Sequence, residues 1–235
     1  MKKLLLLYGH ALSHHALHTL LQNDLRLQLL YEVPTVREAI RLIHQQPLDA
    51  VILDISAPNQ NGLEILCDLK HAAPGLPILV INGSERPDRM IHFIRLGCQG
   101  YLPYTTQSSQ VIPAIRSIAR GKSCLMPRHH QLLTESQPMR HEQLSLRELQ
   151  VLFKLIKGQP VNAVADELAI APGSVSVFRA KILRKMGVTN NAALIRYALT
   201  HGLIPAPTTL SRQTCRHPDQ GRKMIAAADR LSTVF

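Results

Sequence analysis

Ala171-Pro-Gly-Ser-Val-Ser-Val-Phe-Arg-Ala-Lys-Ile-Leu-Arg-Lys-Met186 is the run from which the rest of the chain can be read. At helical period Val175, Phe178, Ile182 and Met186 make an apolar stripe, while Ser174, Ser176, Val177, Lys181, Arg184 and Lys185 fall largely off it. Pro172 suits a first helical turn, where its missing N–H has no intrahelical partner to lose. One face of such a helix belongs in a core, and the other, basic and small, has the form of something that enters a groove.

Working outward, Ser145-Leu-Arg-Glu148 has capping-box spacing. Leu149, Leu152, Phe153 and Ile156 continue it as an apolar stripe, and Gly158 is a helix stop. A short helix is predicted from about Asn162 to Leu168, with Val164, Ala165 and Leu168 inward. A fourth is predicted over Asn191 to Thr200, carrying Leu194, Ile195, Tyr197, Ala198 and Leu199. Two short helices joined by a tight turn, with basic groups on the second, describe a helix-turn-helix.

The half of the chain before this region alternates short apolar runs with longer amphipathic ones. Strands are predicted at Lys3 to Tyr8, Leu27 to Val33, Asp49 to Asp54, Pro77 to Asn82 and Gly100 to Leu102. Helices are predicted near 12 to 23, 35 to 46, 62 to 73, 86 to 97 and 106 to 120. Such β-α units imply a parallel sheet covered on both faces, with chemistry at the carboxyl ends of its strands. Those ends hold Tyr8-Gly9-His10, Asp54, Asn82-Gly83-Ser84 and Leu102-Pro103-Tyr104. Residues 122 to 143 lose period and collect Pro127, Pro138 and His129-His130, a linker with a short helix near His129 to Thr134; it leaves open whether the domains dock or separate. Beyond Ile204 a basic tail, 205 to 235, carries Met224, Ala228, Leu231 and Phe235 at helical spacing.

Basic groups outnumber acidic ones 27 to 16, and the excess is uneven: residues 1 to 122 carry 12 against 9, residues 123 to 235 carry 15 against 7. The second half is therefore the polyanion-binding candidate, although a solvated basic face has the same composition. Cys67, Cys98, Cys124 and Cys215 form no C-x-x-C pair, which suits free thiols in a reducing compartment. The apolar run Leu4 to Leu7 stops too early for a signal peptide, and no stretch is long enough to span a membrane, so a cytoplasmic chain is expected. His10, His14, His15 and His18 include i, i+4 pairs able to share a helix face, but no ordered acidic or cysteine partners accompany them in sequence; an exposed polar face, and no metal, is the expectation. Nucleophilic triads, a P-loop and G-x-G-x-x-G are absent from the sequence, and an enzyme is not expected.

The first half resembles a two-component receiver, through Asp49-Ala-Val-Ile-Leu-Asp54, Pro58, Asn61-Gly-Leu-Glu-Ile-Leu66 and Gly97-Cys-Gln-Gly-Tyr-Leu102. The second resembles the LuxR-type DNA-binding domain of NarL/FixJ response regulators, through Leu144-Ser-Leu-Arg-Glu148, Val151-Leu152, Gly158, Val164-Ala165, Ser174-Val175, Arg179, Ile182-Leu-Arg-Lys185, Gly187-Val188 and Arg196-Tyr-Ala-Leu199. The resemblance implies a five-stranded parallel flavodoxin-like α/β receiver over 1 to 121 and an all-α four-helix DNA-binding domain over 144 to 204. Asp54 then matches the phosphoacceptor. The acidic pair that would hold Mg²⁺ with it is replaced by Tyr8 and Gly9, the switch Ser/Thr by Asn82, and the phosphate-pairing lysine by Tyr104 or Pro103. One carboxylate holds Mg²⁺ weakly, so a degenerate receiver without conventional aspartyl switching is expected.

In the second domain many family members carry a lysine at the position of Ser176, a histidine at that of Phe178 and a capping serine at that of Ala171. Base contacts are expected from Ser174, Ser176 and Val177, base or phosphate contacts from Lys181, and phosphate contacts from Arg179, Arg184 and Lys185. Leu194, Tyr197 and Ala198 are dimer-contact candidates, with packing inside the monomer as their other use. The expected partners are double-stranded DNA, a second copy of the chain, RNA polymerase and an unassigned histidine kinase. The alternatives are a conventional phosphorylation-dependent regulator using Asp54, or an interaction module that sequesters another regulator.

Overall fold

In a computed structural model that describes residues 1–57 and 60–204, five strands form one parallel sheet in the order β2-β1-β3-β4-β5. They are β1 (Lys2–Leu7), β2 (Leu27–Val33), β3 (Ala50–Asp54), β4 (Ile78–Gly83) and β5 (Gly100–Pro103). Between and after them run α1 (Ala11–Gln22), α2 (Val36–Gln45), α3 (Gly62–Ala72), α4 (Pro87–Arg95) and α5 (Ser108–Ala119). Alternation along the strands divides the core. Leu5, Leu7, Val51, Leu53, Ile78 and Val80 pack against α2, α3 and α4, and Leu4, Leu6, Ala50, Ile52, Leu79 and Ile81 pack against α1 and α5. Because both faces are covered, the strands read as continuous apolar runs.

Strand order reverses between β1 and β3, which opens a crevice beyond their carboxyl ends. Gly9 and Asp54 stand at that crevice. Pro58 and the tail 205 to 235, with Cys215 and the spacing of Met224, Ala228, Leu231 and Phe235, lie outside the described residues.

The connecting stretch is more ordered than its composition suggested. Helix α6 (Pro127–Glu135) packs on α4, with His129 fully buried, and a 3-10 turn follows at Arg140–Gln143. His129 and His141, which interrupt the apolar pattern, are buried in the packing while His130 is exposed, which is why periodicity ran out there.

The second domain comprises α7 (Leu146–Ile156), α8 (Val161–Glu167), α9 (Pro172–Met186) and α10 (Asn191–Thr200). Both halves of the α7 capping box are formed: Glu148 N–H donates to Ser145 Oγ at 3.2 Å, and Ser145 N–H to Glu148 Oε2 at 2.7 Å. Gly187 takes a left-handed φ of 62° beyond the end of α9, where a side chain would be strained.

The two domains are docked, and their apolar interiors form one cluster through α3 against α7. Lys154 Nζ reaches Glu64 Oε1 at 2.7 Å with both side chains under a tenth exposed, and Gln150 Nε2 donates to Asp68 Oδ1 at 2.7 Å. Arg95 holds Glu142 at 2.5 Å and the Ser136 carbonyl at 2.6 Å. Asn61 Nδ2 donates to the Leu203 carbonyl at 3.0 Å.

A chain of neutral side chains completes the contact. His92 Nε2 lies 2.6 Å from the His201 carbonyl and must donate to it, which leaves His92 Nδ1 to accept from His141 Nε2 at 3.2 Å. His141 Nδ1 then accepts from the Tyr197 hydroxyl at 3.1 Å.

Candidate functional site

The loop after β1 and the end of β3 set the first site. Asp54 is 1% exposed, and five donor groups converge on its carboxylate. Gly9 N–H reaches Oδ2 at 3.2 Å, Ser56 N–H reaches Oδ1 at 3.0 Å, the Ser56 hydroxyl reaches Oδ2 at 2.9 Å and Asn82 Nδ2 reaches Oδ1 at 2.8 Å. The Ser13 hydroxyl, presented by the first turn of α1, also bonds to Oδ2.

Every one of these donors is uncharged. Two pockets adjoin the site, of about 280 and 430 Å³; Ser56, Asn82 and Tyr104 line both, and Asp54 lines neither. Tyr104 is 67% exposed, and Asn82 takes a left-handed φ of 57° that asparagine tolerates better than most residues. At Gly9 a Cβ would come within 2.8 Å of the Ala57 backbone nitrogen, so the loop has closed over the space an acidic side chain would need.

Ser13 and Ser56 escaped the sequence reading. Ser56 follows Asp54 by two residues, a spacing at which local carboxylate-to-backbone bonds are common, whereas Ser13 is joined to it only by the fold. The histidine-rich α1 also differs from expectation. His14 and His18 meet the carboxylate of Glu32, which β2 brings alongside, so an acidic partner is present that linear spacing could not reveal.

The second site is the outer face of α9. Helix α8 and the turn through Ala169, φ 52°, set its entry, and Ala171 supplies no side-chain cap. Ser176, Val177, Lys181 and Arg184 are exposed and Ser174 is half-buried. Phe178 is half-buried against the core, with Lys181 Nζ 6.0 Å from its ring centre.

Two of the expected phosphate contacts are already engaged. Arg179 Nε donates to Asn191 Oδ1 at 2.9 Å, and Lys185 Nζ pairs with Glu148 Oε2 at 2.6 Å. Burial, the largest influence, raises the Glu148 carboxyl, and the Lys185 bond and charge together with the Ser145 hydrogen bonds outweigh it, leaving the pKa below the usual value.

The dimer candidates need correction in this arrangement. Leu194 and Ala198 are 1% and 0% exposed inside the monomer, and the Tyr197 hydroxyl is spent on His141. The apolar stripe of α10 is used by α7 and the interdomain contact; on its exposed side Leu199 remains, 41% exposed.

Residues 8–116 match the response regulator receiver domain, and residues 142–198 match the bacterial regulatory proteins of the luxR family. The transcriptional regulatory protein UhpA of Salmonella typhimurium is 30% identical over 189 residues, 80% of this chain and 93% of that protein. The chain belongs to the NarL/FixJ-type response regulators.

Response regulator GacA of Pseudomonas aeruginosa is 24% identical over 88% of this chain and 99% of its own, and response regulator UvrY of Escherichia coli is 25% identical over 90% and 100%. Among solved structures, RcsB of Salmonella enterica bound to the promoter P1flhDC has a TM-score of 0.57 at 19% identity, covering 85% of this chain and 98% of that one, and shares the fold. As a member of this family the chain is a DNA-binding transcription regulator. Among the described residues no helix is long and apolar enough to cross a membrane.

Proposed function

We propose that this regulator reads specific DNA sequences through α9 and that its receiver does not operate by conventional aspartyl phosphorylation. The observation that carries the reading is the state of Asp54: a buried carboxylate saturated by neutral donors, with Tyr8 and Gly9 beside it in place of a second and third carboxylate. Mg²⁺ needs several oxygen ligands and retains waters, and these residues do not fit it. A phosphoryl group arriving at Asp54 would also meet no ammonium, since Tyr104 or Pro103 stands where the resemblance implies a lysine. The receiver is then a docking body for the DNA-binding domain, controlled by whatever alters the α3–α7 contact.

On DNA, Ser174, Ser176 and Val177 face base edges, with the Val177 methyls suited to thymine, and Lys181 and Arg184 neutralise phosphate. The exposure of Ser176, Val177, Lys181 and Arg184 in the docked chain supports this. The RcsB structures include two dimers bound to two parallel DNAs, and a dimer on paired half-sites is proposed here as well, with the exposed side of α10 available to the second copy.

Intact-mass measurement after incubation with acetyl phosphate and Mg²⁺ tests the receiver. No adduct is expected, and a stoichiometric one lost in Asp54→Ala overturns the proposal. For the reader, Lys181→Glu with Arg184→Glu abolishes binding in a mobility shift on sites selected from genomic fragments, with circular dichroism unchanged. Retained affinity would show that another surface holds the DNA.

A further inference from the structure

The histidine cluster of α1 is not used by either site above. His14 and His18 lie one helical turn apart and turn their rings to the same side, where Glu32 of β2 faces them. His18 Nδ1 lies 2.9 and 3.0 Å from the two carboxylate oxygens, and His14 Nε2 also contacts Oε2. The donor atoms of the three residues all lie within 4.8 Å of one another. A tetrahedral ion about 2.0–2.2 Å from each ligand needs donors a little over 3 Å apart, so little movement is required.

The surroundings favour an ion over a mere hydrogen-bonded trio. Among the described residues Glu32 is paired with these two imidazoles and with no lysine or arginine, so no fixed cation neutralises it. Tyr8 stacks on the His14 ring at 4.3 Å between centroids and fixes its plane. Gln22 Nε2 contacts the other ring nitrogen of His18, so ligation through Nδ1 requires that carboxamide to turn its oxygen toward the ring, where it would accept the Nε2–H as the outer partner of a ligating histidine. The three side chains are a quarter to a third exposed, which gives an ion entry and leaves a coordination position for water.

A second cluster, His92, His141 and Glu142, satisfies the same proximity and fails on chemistry. The ring nitrogens there bond to the His201 carbonyl, the Tyr197 hydroxyl and each other, and the Arg95 guanidinium already neutralises Glu142.

We infer that His14, His18 and Glu32 form a surface site for a borderline divalent cation, Zn²⁺ above all, since two imidazoles and one carboxylate suit it better than Mg²⁺ or Ca²⁺. The ion would tie α1 to β2. Ser13, the neighbour of His14, is the α1 residue that bonds to Asp54, so occupancy also fixes one wall of the Asp54 site.

Zn²⁺ titration of the full chain against a chromogenic chelator tests this. One ion is expected whose affinity falls roughly 100-fold in His18→Ala and in Glu32→Gln, the loss of a direct ligand costing at least as much as loss of an outer partner. His15→Ala, on the exposed face of the same helix, should stay within about twofold of the parent by the same reasoning. In parallel, amide exchange across Ala11–Gln22 should slow on adding Zn²⁺ to the parent and not to Glu32→Gln. The inference fails if the parent takes up no ion at a Zn²⁺ concentration equal to its own. It fails equally if His18→Ala and Glu32→Gln bind as His15→Ala does, which would assign uptake to thiols or to other histidines.

Discussion

Gly9 occupies one of the two positions at which the resemblance implies an acidic pair. A Cβ there would press on the Ala57 nitrogen at 2.8 Å and on the Asp54 carbonyl at 3.1 Å, so restoring an acidic side chain requires the loop to open. Gly9→Asp is therefore expected to lower stability by about 1–3 kcal/mol, the range for overpacking, without creating Mg²⁺ affinity. Urea unfolding with and without Mg²⁺ would show it, as a lower midpoint that the ion does not restore. Asp54→Ala strands buried donors and is expected to cost about 1–3 kcal/mol in the same measurement. A variant as stable as the parent would mean that water replaces the carboxylate. Asp54 thus has a structural task, as the shared acceptor that joins the β1 loop, α1, β3 and β4.

At the level of single elements, α9 starts without a capping side chain, and Ala171 is fully open to substitution on its exposed side. Ala171→Ser is expected to raise stability by about 0.5–1 kcal/mol, read as a higher thermal midpoint. The elements themselves were legible: α9, the α7 cap with Ser145 and Glu148, and the five strands follow from period, capping and turn chemistry, with ends differing by a residue or two. What the sequence could not disclose was convergence between distant segments. Glu32 with His14, and Ser13 with Asp54, meet only because parallel strands stand beside helix starts. Helix α6 was half-read because His129 is polar by type and core by position. The stripe of α10 was visible, but periodicity does not say whether a partner copy or the same chain covers it.

For the molecule as a whole, the docked state depends on the neutrality of His92 and His141. Burial, first, lowers both pKa values; for His141 a proton would also be repelled by one on His92 and by the Arg95 guanidinium, and the ring is pushed down to about 3. Glu142 and Asp88 act in the opposite sense on His92, and Arg95 with burial. Since an exposed imidazole titrates near 6.5, undocked or unfolded chain takes up protons first as pH falls below that value. Docking stability is thus complete above about pH 6.5 and declines as pH falls below it, for His141 by up to about 1.4 kcal/mol per pH unit until about pH 3. A protonated ring would also present an N–H where the relay needs an acceptor. Limited proteolysis of the 122 to 143 connection should accelerate between pH 7.5 and 5.5, and less so in His141→Gln. Equal rates at both pH values would remove the histidines from control of the contact.

The Lys154–Glu64 and Gln150–Asp68 contacts have one member in each domain. Burial already pushes the Asp68 carboxyl up despite the Gln150 bond. Grafting residues 144 to 204 onto another receiver, or another reader onto this one, would leave carboxylates of α3 facing unmatched side chains across an apolar seam. The two modules are consequently poor candidates for shuffling: a change on either side of α3 and α7 must be answered on the other, so the halves are expected to diverge as a matched pair.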